Sequence, residues 1–414
     1  MNSRDRVKLA LNHEEADRVP IDLGSMRSSG ISTIAYINLL DFLGKGNLVP
    51  KMYDFIQQLA YPHKEILDLF NIDVIDVGQA FLKDDSDWKP WQIDNFHSCL
   101  IPAYLNIEKD KDGNVFLKNN EGIILGKKPK SSLYVDQAYW VYKDLQSLPD
   151  SFDDKELNRH MWAIPSPPWY LDIFNEKDFK VFKDTISDLY HSTDYSLMLS
   201  LGCNLFETGT FLRSFDNFLC DIYLNKLGTQ KLLDSFVEKN LLKIKRVLEG
   251  VKDYVDIIMF GDDLGTQDMP FISPDKFREI FKPFYKKMWD CVHENSNCKV
   301  FLHSCGSIYK LIPDLIDAGL DILNPVQTSA KDMEPEKLKK EFGKYITFWG
   351  GGCDTQEVLP NWSPNEIKRH VKERIEIFSK NGGFVFCQVH NILANIPPEN
   401  VVAMLEAVNE FGKY

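Results

Sequence analysis

A histidine and a cysteine separated by one residue, His303 and Cys305, stand at the end of a strand-like run that starts at Lys299. Residues i and i+2 of an extended segment face the same side, so the imidazole and the sulfur point to one place. Imidazole nitrogens and thiolates are the ligands that zinc most often binds in proteins. The pair therefore predicts a metal site at the carboxyl end of a strand.

Two later strand-like runs end in further candidate ligands. Cys353 follows three glycines, and glycine lets the backbone approach a bound group closely. Cys387 lies within the last run and His390 just beyond it, so the two side chains point in different directions on a regular strand. We expect His390 and Cys353 to complete the metal site and Cys387 to lie in the core. The alternative for Cys353 is a buried thiol that packs as a small hydrophobic residue.

Three acidic residues are predicted near the same ends of the strands. Asp262 and Asp263 follow the fourth strand-like run, and Glu207 lies shortly after the third. Carboxyl groups there can act as general acid or base, or support a metal ligand through a hydrogen bond. Adjacent acids also cap helices and turns, and this alternative stays open. We predict a catalytic role for the three acids, and Glu207 is in addition a candidate zinc ligand.

Amide side chains form a second group of polar candidates. Asn324 and Gln327 lie at the end of the sixth strand-like run, and Gln267 lies in the segment that follows the fourth. Such amides can orient a substrate through hydrogen bonds, or they can terminate a turn. We predict that these three residues bind the substrate.

The elements that carry these residues alternate between short β-branched runs and longer stretches of helical period. This alternation predicts parallel strands joined by crossover helices. Eight strands are predicted, at Val19–Leu23, Val74–Val77, Ser196–Leu201, Asp256–Phe260, Lys299–His303, Asp321–Asn324, Ile346–Gly350 and Phe384–Gln388. Helices are predicted at Thr229–Glu249, Pro274–Glu294, Ser307–Ala318, Pro335–Phe342, Pro364–Ser379 and Pro397–Phe411. The expected fold is an α/β barrel of the (β/α)₈ TIM type, in which the chemistry lies at the carboxyl ends of the strands.

One segment departs from the alternation. From about residue 83 to residue 168 the chain is rich in Trp, Tyr, Asp and Pro. It contains a hairpin-like piece, in which Asp112–Asn114 separate the runs Leu105–Asp110 and Val115–Lys118. We interpret the segment as a partly β insertion between the second and third strands of a single barrel domain that spans residues 1–414. Such insertions often cover an active site, although a purely structural role fits the pattern equally well.

The composition excludes some partners. The chain has 414 residues, with 48 basic and 61 acidic side chains and a formal charge of −13. An acidic balance disfavours non-specific binding to nucleic acid or to anionic membranes. No apolar run has the length of a membrane span or the features of a secretory signal. The eight cysteines are scattered and suit a reducing compartment, so we expect a cytoplasmic protein.

A series of motifs along the chain resembles the uroporphyrinogen decarboxylase superfamily. The motifs are Arg4–His13 with Asp17–Pro20, Phe260–Gln267, His303–Ser307, Asp321–Gln327, Trp349–Gln356 and Val389–Asn400. Within this superfamily, the branch with an H-x-C motif is similar to corrinoid-dependent methyltransferases. Those enzymes bind zinc and exchange methyl groups with a cobalamin on a separate corrinoid protein, whereas the decarboxylases need no metal. The resemblance implies a barrel fold, a zinc ion and a corrinoid protein as partner.

Two positions depart from the patterns of the superfamily. The decarboxylases grip substrate carboxylates with an arginine-rich segment near the amino terminus, where this chain has one arginine, Arg27. We predict that Arg27 binds substrate, although a tetracarboxylate substrate is poorly supported. In the thiol-methylating branch a cysteine completes the ligand set at the position of His390. The third and fourth zinc ligands therefore stay open among Cys353, Cys387, His390 and Glu207.

The predicted function is methyl transfer. Zinc bound to an ether oxygen stabilises the oxyanion that develops as the methyl group departs. We predict an O-demethylating methyltransferase that moves a methyl group from a methoxylated small molecule, with aromatic compounds as the first candidates, to the Co(I) of a corrinoid protein. A methylcobalamin:thiol methyltransferase, a metal-free decarboxylase and a binding protein without turnover stay as alternatives. A homodimer also stays open.

Overall fold

The computed structural model describes residues 1–414 as a mixed α/β fold with four β-sheets. The strands are, in chain order, β1 Ile31–Ser32, β2 Met52–Asp54, β3 Leu59–Ala60, β4 Val74–Asp76, β5 Trp88–Gln92, β6 Ser98–Pro102, β7 Asn106–Lys109, β8 Val115–Lys118, β9 Ile124–Lys128, β10 Asp136–Gln137, β11 Ser196–Gly202, β12 Ile257–Gly261, β13 Lys299–His303, β14 Ile322–Asn324, β15 Thr347–Trp349 and β16 Phe384–Val385.

Seven of these strands form one parallel sheet, in the order β16-β15-β14-β13-β12-β11-β4. Every pairing within it is parallel. All residues of β4, β12, β14 and β15 are buried, as expected for parallel strands that are covered on both faces. The seven predicted strands from the second to the eighth are therefore confirmed, and several of them are shorter than predicted.

The remaining predicted strand, Val19–Leu23, forms isolated bridges to the two edges of this sheet. Ile21 pairs with Phe386 beyond β16, and Asp22 pairs with Val74 of β4. The N–H of Asp22 donates to the carbonyl oxygen of Phe386 at 2.9 Å, and the N–H of Asp73 donates to that of Ile21 at 2.8 Å. One segment thus bridges both edges of the seven-stranded sheet, an arrangement consistent with a TIM-like barrel.

Helices connect most of the parallel strands. They are α1 Ser3–Leu11, α2 Thr33–Phe42, α3 Lys64–Leu69, α4 Asp154–Leu157, α5 Glu176–Ser192, α6 Phe206–Arg213, α7 Phe215–Leu224, α8 Lys226–Val251, α9 Pro274–Lys276, α10 Lys282–Asn295, α11 Ile312–Asp317, α12 Pro335–Phe342, α13 Val358–Asn361, α14 Pro364–Phe378 and α15 Pro398–Phe411. None of these helices combines the length and the apolar character that crossing a membrane requires.

Four of the six predicted helices match α8, α12, α14 and α15, and the other two differ at prolines. The predicted helix Pro274–Glu294 is divided into α9, a π-helical segment at Phe277–Phe281, and α10. Pro283 lies in the first turn of α10 and has no N–H to continue the hydrogen-bond ladder. The predicted helix Ser307–Ala318 begins with a 3₁₀ turn at Tyr309, and Pro313 likewise lies in the first turn of α11. Proline explains both interruptions, because it suits a helix start better than a helix interior.

The strands between β4 and β11 in the chain form two sheets that are separate from the parallel sheet. Strands β5 and β6 form a two-stranded antiparallel sheet, and β7–β10 form a four-stranded one. The predicted hairpin is present as β7 and β8, joined by a turn in which Gly113 has a φ of +89°. A small core, which includes Leu117 and Leu125 of this segment and Met52 of β2, packs this segment against the part of the chain that contains β2. That residues 83–168 are an insertion that covers the active site stays a prediction.

Two apolar layers lie on the two sides of the parallel sheet. Val300 and Leu302 of β13 belong to a core of 86 buried residues between the sheet and the helices. Phe301 of β13 belongs to a smaller core of 13 buried residues inside the sheet. Since alternate residues of a strand face opposite sides, His303 faces the same interior as Phe301. The fold therefore directs the side chain at the end of β13 toward the barrel axis.

Candidate metal centre

Three side chains at the carboxyl ends of the parallel strands form a group that can hold a metal ion. The ligand atoms of His303, Cys305 and His390 all lie within 4.8 Å of one another. Sγ of Cys305 is 3.4 Å from Nε2 of His303, and the rings of His303 and His390 are 5.6 Å apart between centroids. Zinc–nitrogen and zinc–sulfur bonds at a tetrahedral angle would place such nitrogen and sulfur atoms about 3.6 Å apart. The spacing therefore fits zinc.

Two different local structures deliver these ligands. His303 is the last residue of β13, and the chain turns sharply at Gly306, which has a φ of +89°. His390 lies five residues beyond β16, in a segment that runs beside the amino-terminal part of the chain. The N–H of Ile392 donates to the carbonyl oxygen of Gly30 at 2.9 Å. The strand thus positions two ligands, whereas a long-range backbone contact positions the third.

The side chain of Asn324, the last residue of β14, sets the orientation of the His303 ring. Nδ2 of Asn324 donates to the carbonyl oxygen of Trp349 at 2.7 Å, which leaves Oδ1 to face His303. Nδ1 of His303 donates to this Oδ1 at 2.6 Å. A neutral imidazole with its proton on Nδ1 presents the lone pair of Nε2. Nε2 is the atom that lies beside Cys305, so the ring is oriented for metal binding.

The predicted ligand Cys353 does not join this group, and that prediction is corrected. Its side chain is fully buried in the core between the sheet and the helices. Burial raises the pKa of the Cys353 thiol well above its ordinary value, and Asp354 raises it further. A sulfur in that layer lies on the opposite side of the sheet from the ligands. Cys353 therefore corresponds to the alternative interpretation, a buried thiol in the core.

Cys387 lies in the interior core below the three ligands. It is fully buried together with Trp349 and Phe301. Its sulfur lies 3.8 Å from Nδ2 of Asn324, on the far side of that amide from the metal group. Cys387 is therefore a core residue, as expected from the sequence, and its contact to Asn324 supports the amide that orients His303.

The adjacent acids Asp262 and Asp263 have different environments. Asp262 is fully buried, and its carboxylate accepts the N–H groups of Leu205, Phe206 and Glu207 at 2.7–2.8 Å. The hydroxyl of Tyr285 donates to the same carboxylate. Burial raises the pKa of Asp262 to about 6, while the hydrogen bond from Tyr285 lowers it. These bonds satisfy the first turn of α6, so the predicted catalytic role of Asp262 is corrected to a helix cap.

Asp263 and Glu207 face the ligands. Oδ1 of Asp263 lies 3.6 Å from Nε2 of His303 and accepts the N–H of Cys305 at 2.8 Å. Oε2 of Glu207 accepts the N–H of Asp263 at 3.1 Å and Nδ2 of Asn204 at 2.6 Å. Burial raises the pKa of Glu207 well above its ordinary value, and the carboxylates of Asp263 and Asp262 raise it further. Burial and the neighbouring carboxylates therefore favour the protonated form of Glu207 beside Asp263.

The predicted substrate-binding amides Gln267 and Gln327 contact each other and the metal-site loop. Oε1 of Gln327 accepts the N–H of Gly306 at 2.8 Å, and its Nε2 donates to Oε1 of Gln267 at 3.1 Å. These bonds hold the turn that follows Cys305. Their binding of substrate stays a prediction, as does that of Asn324.

Arg27 is engaged with the protein near the metal group. Its Nε donates to Asp54, and its Nη2 donates to Oγ of Ser166 at 3.2 Å. The guanidinium lies 5.5 Å from the centroid of the Trp162 ring. The neighbouring Ser28 donates to Oδ1 of Asn324 at 3.2 Å. Arg27 is thus close to the site, and substrate binding by its guanidinium stays a prediction.

Sequence reasoning missed several polar residues at the site. Oδ1 of Asn391 accepts a hydrogen bond from Nδ1 of His390 at 2.8 Å, and Asn391 in turn donates to Gln57 at 3.0 Å. Asp76 is the last residue of β4, and burial raises its pKa to about 7. Asp76 was recognisable as a polar residue at a strand end, and Asn391 as the neighbour of a candidate ligand. Gln57 carries no such signal, because it is distant in sequence from every ligand.

The surroundings disfavour isolated charge on the ligands. Burial raises the pKa of the Cys305 thiol well above its ordinary value, and Asp263 raises it further. Burial also lowers the pKa of His390, as does the neighbouring His303. A neutral imidazole is the metal-binding form, and a divalent cation offsets the cost of a buried thiolate. Two imidazoles, one thiolate and a free fourth position are the donor set of a catalytic zinc site.

Comparisons with known proteins agree with this fold. A family model described as uroporphyrinogen decarboxylase (URO-D) matches residues 200–411, slightly more than half of the chain. The methionine synthase of Methanocaldococcus jannaschii is 26% identical over 138 residues, which are 33% of this chain and 40% of that protein. The chain therefore matches less than half of the length of that relative.

Solved structures extend the comparison to the whole chain. A methyltransferase from Methanosarcina mazei is 18% identical, covers 99% of both chains and has a TM-score of 0.58. At this identity the likeness concerns the fold. A B12-independent methionine synthase from a Shewanella species is 12% identical, covers 83% of this chain and 84% of that chain, and has a TM-score of 0.39.

Proposed function

The chain belongs to the uroporphyrinogen decarboxylase (URO-D) family, and we propose that it is a zinc-dependent methyltransferase of that family. In this proposal it moves a methyl group from a methoxylated small molecule to the Co(I) of a corrinoid protein. The observation that carries the proposal is the convergence of His303, Cys305 and His390 at the carboxyl ends of the strands. The methyltransferase and methionine synthase named above support methyl transfer as the reaction class.

The donor set favours an oxygen compound as the methyl donor. His303, His390 and the thiolate of Cys305 would leave a bound zinc ion with a net charge of +1, whereas two thiolates would neutralise it. The greater positive charge makes a stronger Lewis acid for the oxygen that loses the methyl group. A centre with this charge would also bind a thiolate, which is the reason to test thiols as well.

The residues of the chain can supply the proton that the reaction needs. When the carbon–oxygen bond breaks, the oxygen keeps the bonding electron pair and the methyl group passes to the acceptor. Oε2 of Glu207 already accepts two hydrogen bonds, so a proton on this carboxyl group would lie on Oε1. Glu207 would give this proton to the departing oxygen as a general acid. Asp263, between Glu207 and His303, would orient the oxygen through a hydrogen bond.

Aromatic methoxy compounds are the first donors to test. The ring of Trp162 reaches the guanidinium of Arg27, whose neighbour Ser28 contacts the amide that orients His303. An aromatic side chain that is linked to the metal group through these contacts would offer a stacking surface for a substrate ring. This arrangement supports the residues 83–168 as part of the substrate site.

The direct experiment incubates the zinc-loaded protein with a corrinoid protein in the Co(I) state and a panel of methoxylated aromatics and simple methyl ethers. Methylation of cobalt is followed by its visible absorbance. We expect methylation with at least one ether, and loss of both zinc and methylation in His303→Ala and Cys305→Ala with the circular dichroism unchanged. Full zinc content in both variants, or full activity of the natural protein in a chelator, would contradict the proposal.

A thiol methyltransferase is the second candidate, because the chain matches part of a methionine synthase. In that reaction a thiolate takes the methyl group from methylcobalamin. The same protein is therefore incubated with methylcobalamin and either homocysteine or a simple alkyl thiol, and thioether formation is measured. Thioether formation without any methylation of Co(I) by ethers would replace the ether proposal by this one.

A further inference from the structure

Both histidines of the metal group have Nδ1 held by the side-chain oxygen of an asparagine. Oδ1 of Asn324 lies 2.6 Å from Nδ1 of His303 and accepts its hydrogen bond. Oδ1 of Asn391 does the same for Nδ1 of His390 at 2.8 Å. We propose that Asn391 is a positioning residue for His390 and that Gln57, from the turn between β2 and β3, sets the orientation of Asn391. This inference rests on the zinc site proposed above.

The orientation of the Asn391 amide depends on that of Gln57. Nδ2 of Asn391 donates to Oε1 of Gln57 at 3.0 Å, which directs Oδ1 toward the ring of His390. Asn391 is 4% exposed, so with Gln57 in this orientation a reversed amide would bring Oδ1 of Asn391 against Oε1 of Gln57 in a place that water scarcely reaches. The proton of His390 is therefore held on Nδ1, and Nε2 keeps the lone pair for a metal.

Gln57 is held through its backbone by a half-buried ion pair. Its backbone N–H donates to Oδ1 of Asp54 at 2.7 Å, while Oδ2 of Asp54 accepts Nε of Arg27. Backbone bonds hold the same turn, because the N–H of Thr33 donates to the carbonyl oxygen of Gln58 at 2.7 Å. The turn is thus anchored independently of the metal group.

The contacts form one continuous chain from Arg27 through Asp54, Gln57 and Asn391 to His390. The backbone on the other side of Asn391 is also held, since the N–H of Ser32 donates to the carbonyl oxygen of Ile392 at 2.8 Å. This geometry explains why Arg27 is engaged with Asp54. In this network its guanidinium fixes a turn that orients a metal ligand.

Loss of the asparagine contact should weaken metal binding without removing a ligand. A ligating histidine normally donates its second N–H to a fixed acceptor, and loss of such an acceptor lowers metal affinity about 10- to 100-fold. Without Asn391 the proton can occupy either nitrogen, and the ring can turn away from Cys305. If Asn391 had only a structural role, its replacement would lower the stability of the protein and leave the tautomer of His390 unchanged.

The test compares four variants of the full-length protein by zinc competition with a chromogenic chelator. Asn391→Leu removes the acceptor, Asn391→Asp keeps an oxygen for Nδ1, and Gln57→Leu removes the contact that orients the amide. Asn361→Leu is the matched control, because Asn361 is exposed and its side chain contacts Glu357 away from the site. We expect the zinc Kd to rise about 10- to 100-fold in Asn391→Leu and by a smaller factor in Gln57→Leu. Asn391→Asp and Asn361→Leu should keep the Kd of the natural protein.

Two spectroscopic measurements separate positioning from stability. Long-range ¹H–¹⁵N spectra of the metal-free protein with labelled histidine should show the proton of His390 on Nδ1 in the natural protein and a mixture of tautomers in Asn391→Leu. The visible bands of the cobalt(II) form should change in Asn391→Leu and not in Asn361→Leu. An unchanged zinc Kd and an unchanged tautomer in Asn391→Leu would overturn the inference.

The result is distinguishable from a failure of the proposed function. A natural protein that binds zinc with the expected response to these variants, yet methylates no acceptor, contradicts the methyltransferase proposal and supports the positioning role. A natural protein that binds no zinc, cobalt(II) or other divalent transition metal overturns both.

Discussion

Two neighbouring carboxylates, Asp262 and Asp263, differ because consecutive residues at a strand end point in opposite directions. Asp262 points into the protein, where three backbone N–H groups and Tyr285 surround it. Asp263 points to the mouth of the barrel, where it contacts Cys305 and His303. The same residue type therefore serves structure at one position and is available for chemistry at the next.

Replacement of Asp262 should lower the stability of the protein, whereas replacement of Asp263 should lower its activity. Asp262→Ala leaves several buried donors without an acceptor and should lower the free energy of unfolding by about 3 kcal/mol. Asp263→Asn should change that free energy by less than about 0.5 kcal/mol, as for most partly exposed positions, and should lower the methyl-transfer rate with zinc still bound. Urea denaturation and zinc analysis of both variants check this. A stable Asp262→Ala protein would argue against the capping role.

Asp76 gives a prediction for the dependence of stability on pH. Burial raises its pKa to about 7 in the folded protein, whereas an unfolded aspartate has a pKa of about 3.9. Between these values the folded state binds the additional proton, so the contribution of Asp76 to stability is complete below about pH 4 and is lost as the pH rises through 7.

The isosteric variant Asp76→Asn removes this titration and can still accept the N–H of Gly78. We expect it to be more stable than the natural protein at pH 8, with a smaller difference at pH 5. The free energy of unfolding in urea is measured at both pH values. The same difference at pH 5 and at pH 8 would show that Asp76 does not titrate in this range.

The loops that follow β12 and β13 position the acids and the ligands together. A Cβ on Gly306 would overlap the carbonyl oxygens of Gly265 and Thr266, so the two loops pack backbone to backbone. Gly306 also has a φ of +89°, a region that residues with a side chain rarely adopt. Two separate constraints therefore require glycine directly after Cys305.

Gly306→Ala should disturb both folding and metal binding. The positive φ costs about 1–2 kcal/mol, and the overlap with two rigid carbonyl groups adds to it. Gly44→Ala is the matched control, since Gly44 has a φ of +68° and open space around its Cα. We expect a larger loss of unfolding free energy in Gly306→Ala than in Gly44→Ala, and weaker zinc binding in Gly306→Ala alone. Equal losses in the two variants would mean that the loop packing contributes little.

The closure of the sheet depends on charges that come from distant parts of the chain. Asp73, directly before β4, is fully buried and accepts Nη1 of Arg6 at 2.6 Å and Nη1 of Arg18 at 2.7 Å. It also accepts the N–H of Ile21 at 2.8 Å, beside the bridges that link both edges of the sheet. One carboxylate thereby joins the amino-terminal helix, the closing segment and the first strand of the parallel sheet.

Asp73→Ala should destabilise the whole molecule because it leaves two arginines without their buried partner. We expect a loss of about 3–5 kcal/mol in the free energy of unfolding. Asp290→Ala, which removes an exposed pair with Lys286, should cost less than about 1 kcal/mol and serves as the control. Thermal unfolding by circular dichroism checks both variants. A melting temperature of Asp73→Ala equal to that of the control would contradict the role of Asp73 in closing the sheet.

The amino-acid sequence was sufficient for the parallel strands and for the pair His303 and Cys305. Both depend on near neighbours: hydrophobic periodicity predicts each strand, and a spacing of two residues on a strand places two side chains on one face. Helix interruptions at Pro283 and Pro313 were also local, although the prediction extended both helices across them.

Long-range contacts account for the rest of the site. Cys353 and His390 both follow strand-like runs, yet the packing of the chain places Cys353 in the outer core and His390 beside His303. The hydrogen bond from Asn391 to Gln57, which supports His390, joins residues that are 334 positions apart. No local pattern encodes such a contact, since it arises when the closing of the barrel brings the ends of the chain together. Whether a side chain such as Cys353 or His390 enters the outer core or the metal group therefore depends on how the whole chain packs. The residues next to it in the sequence do not decide this.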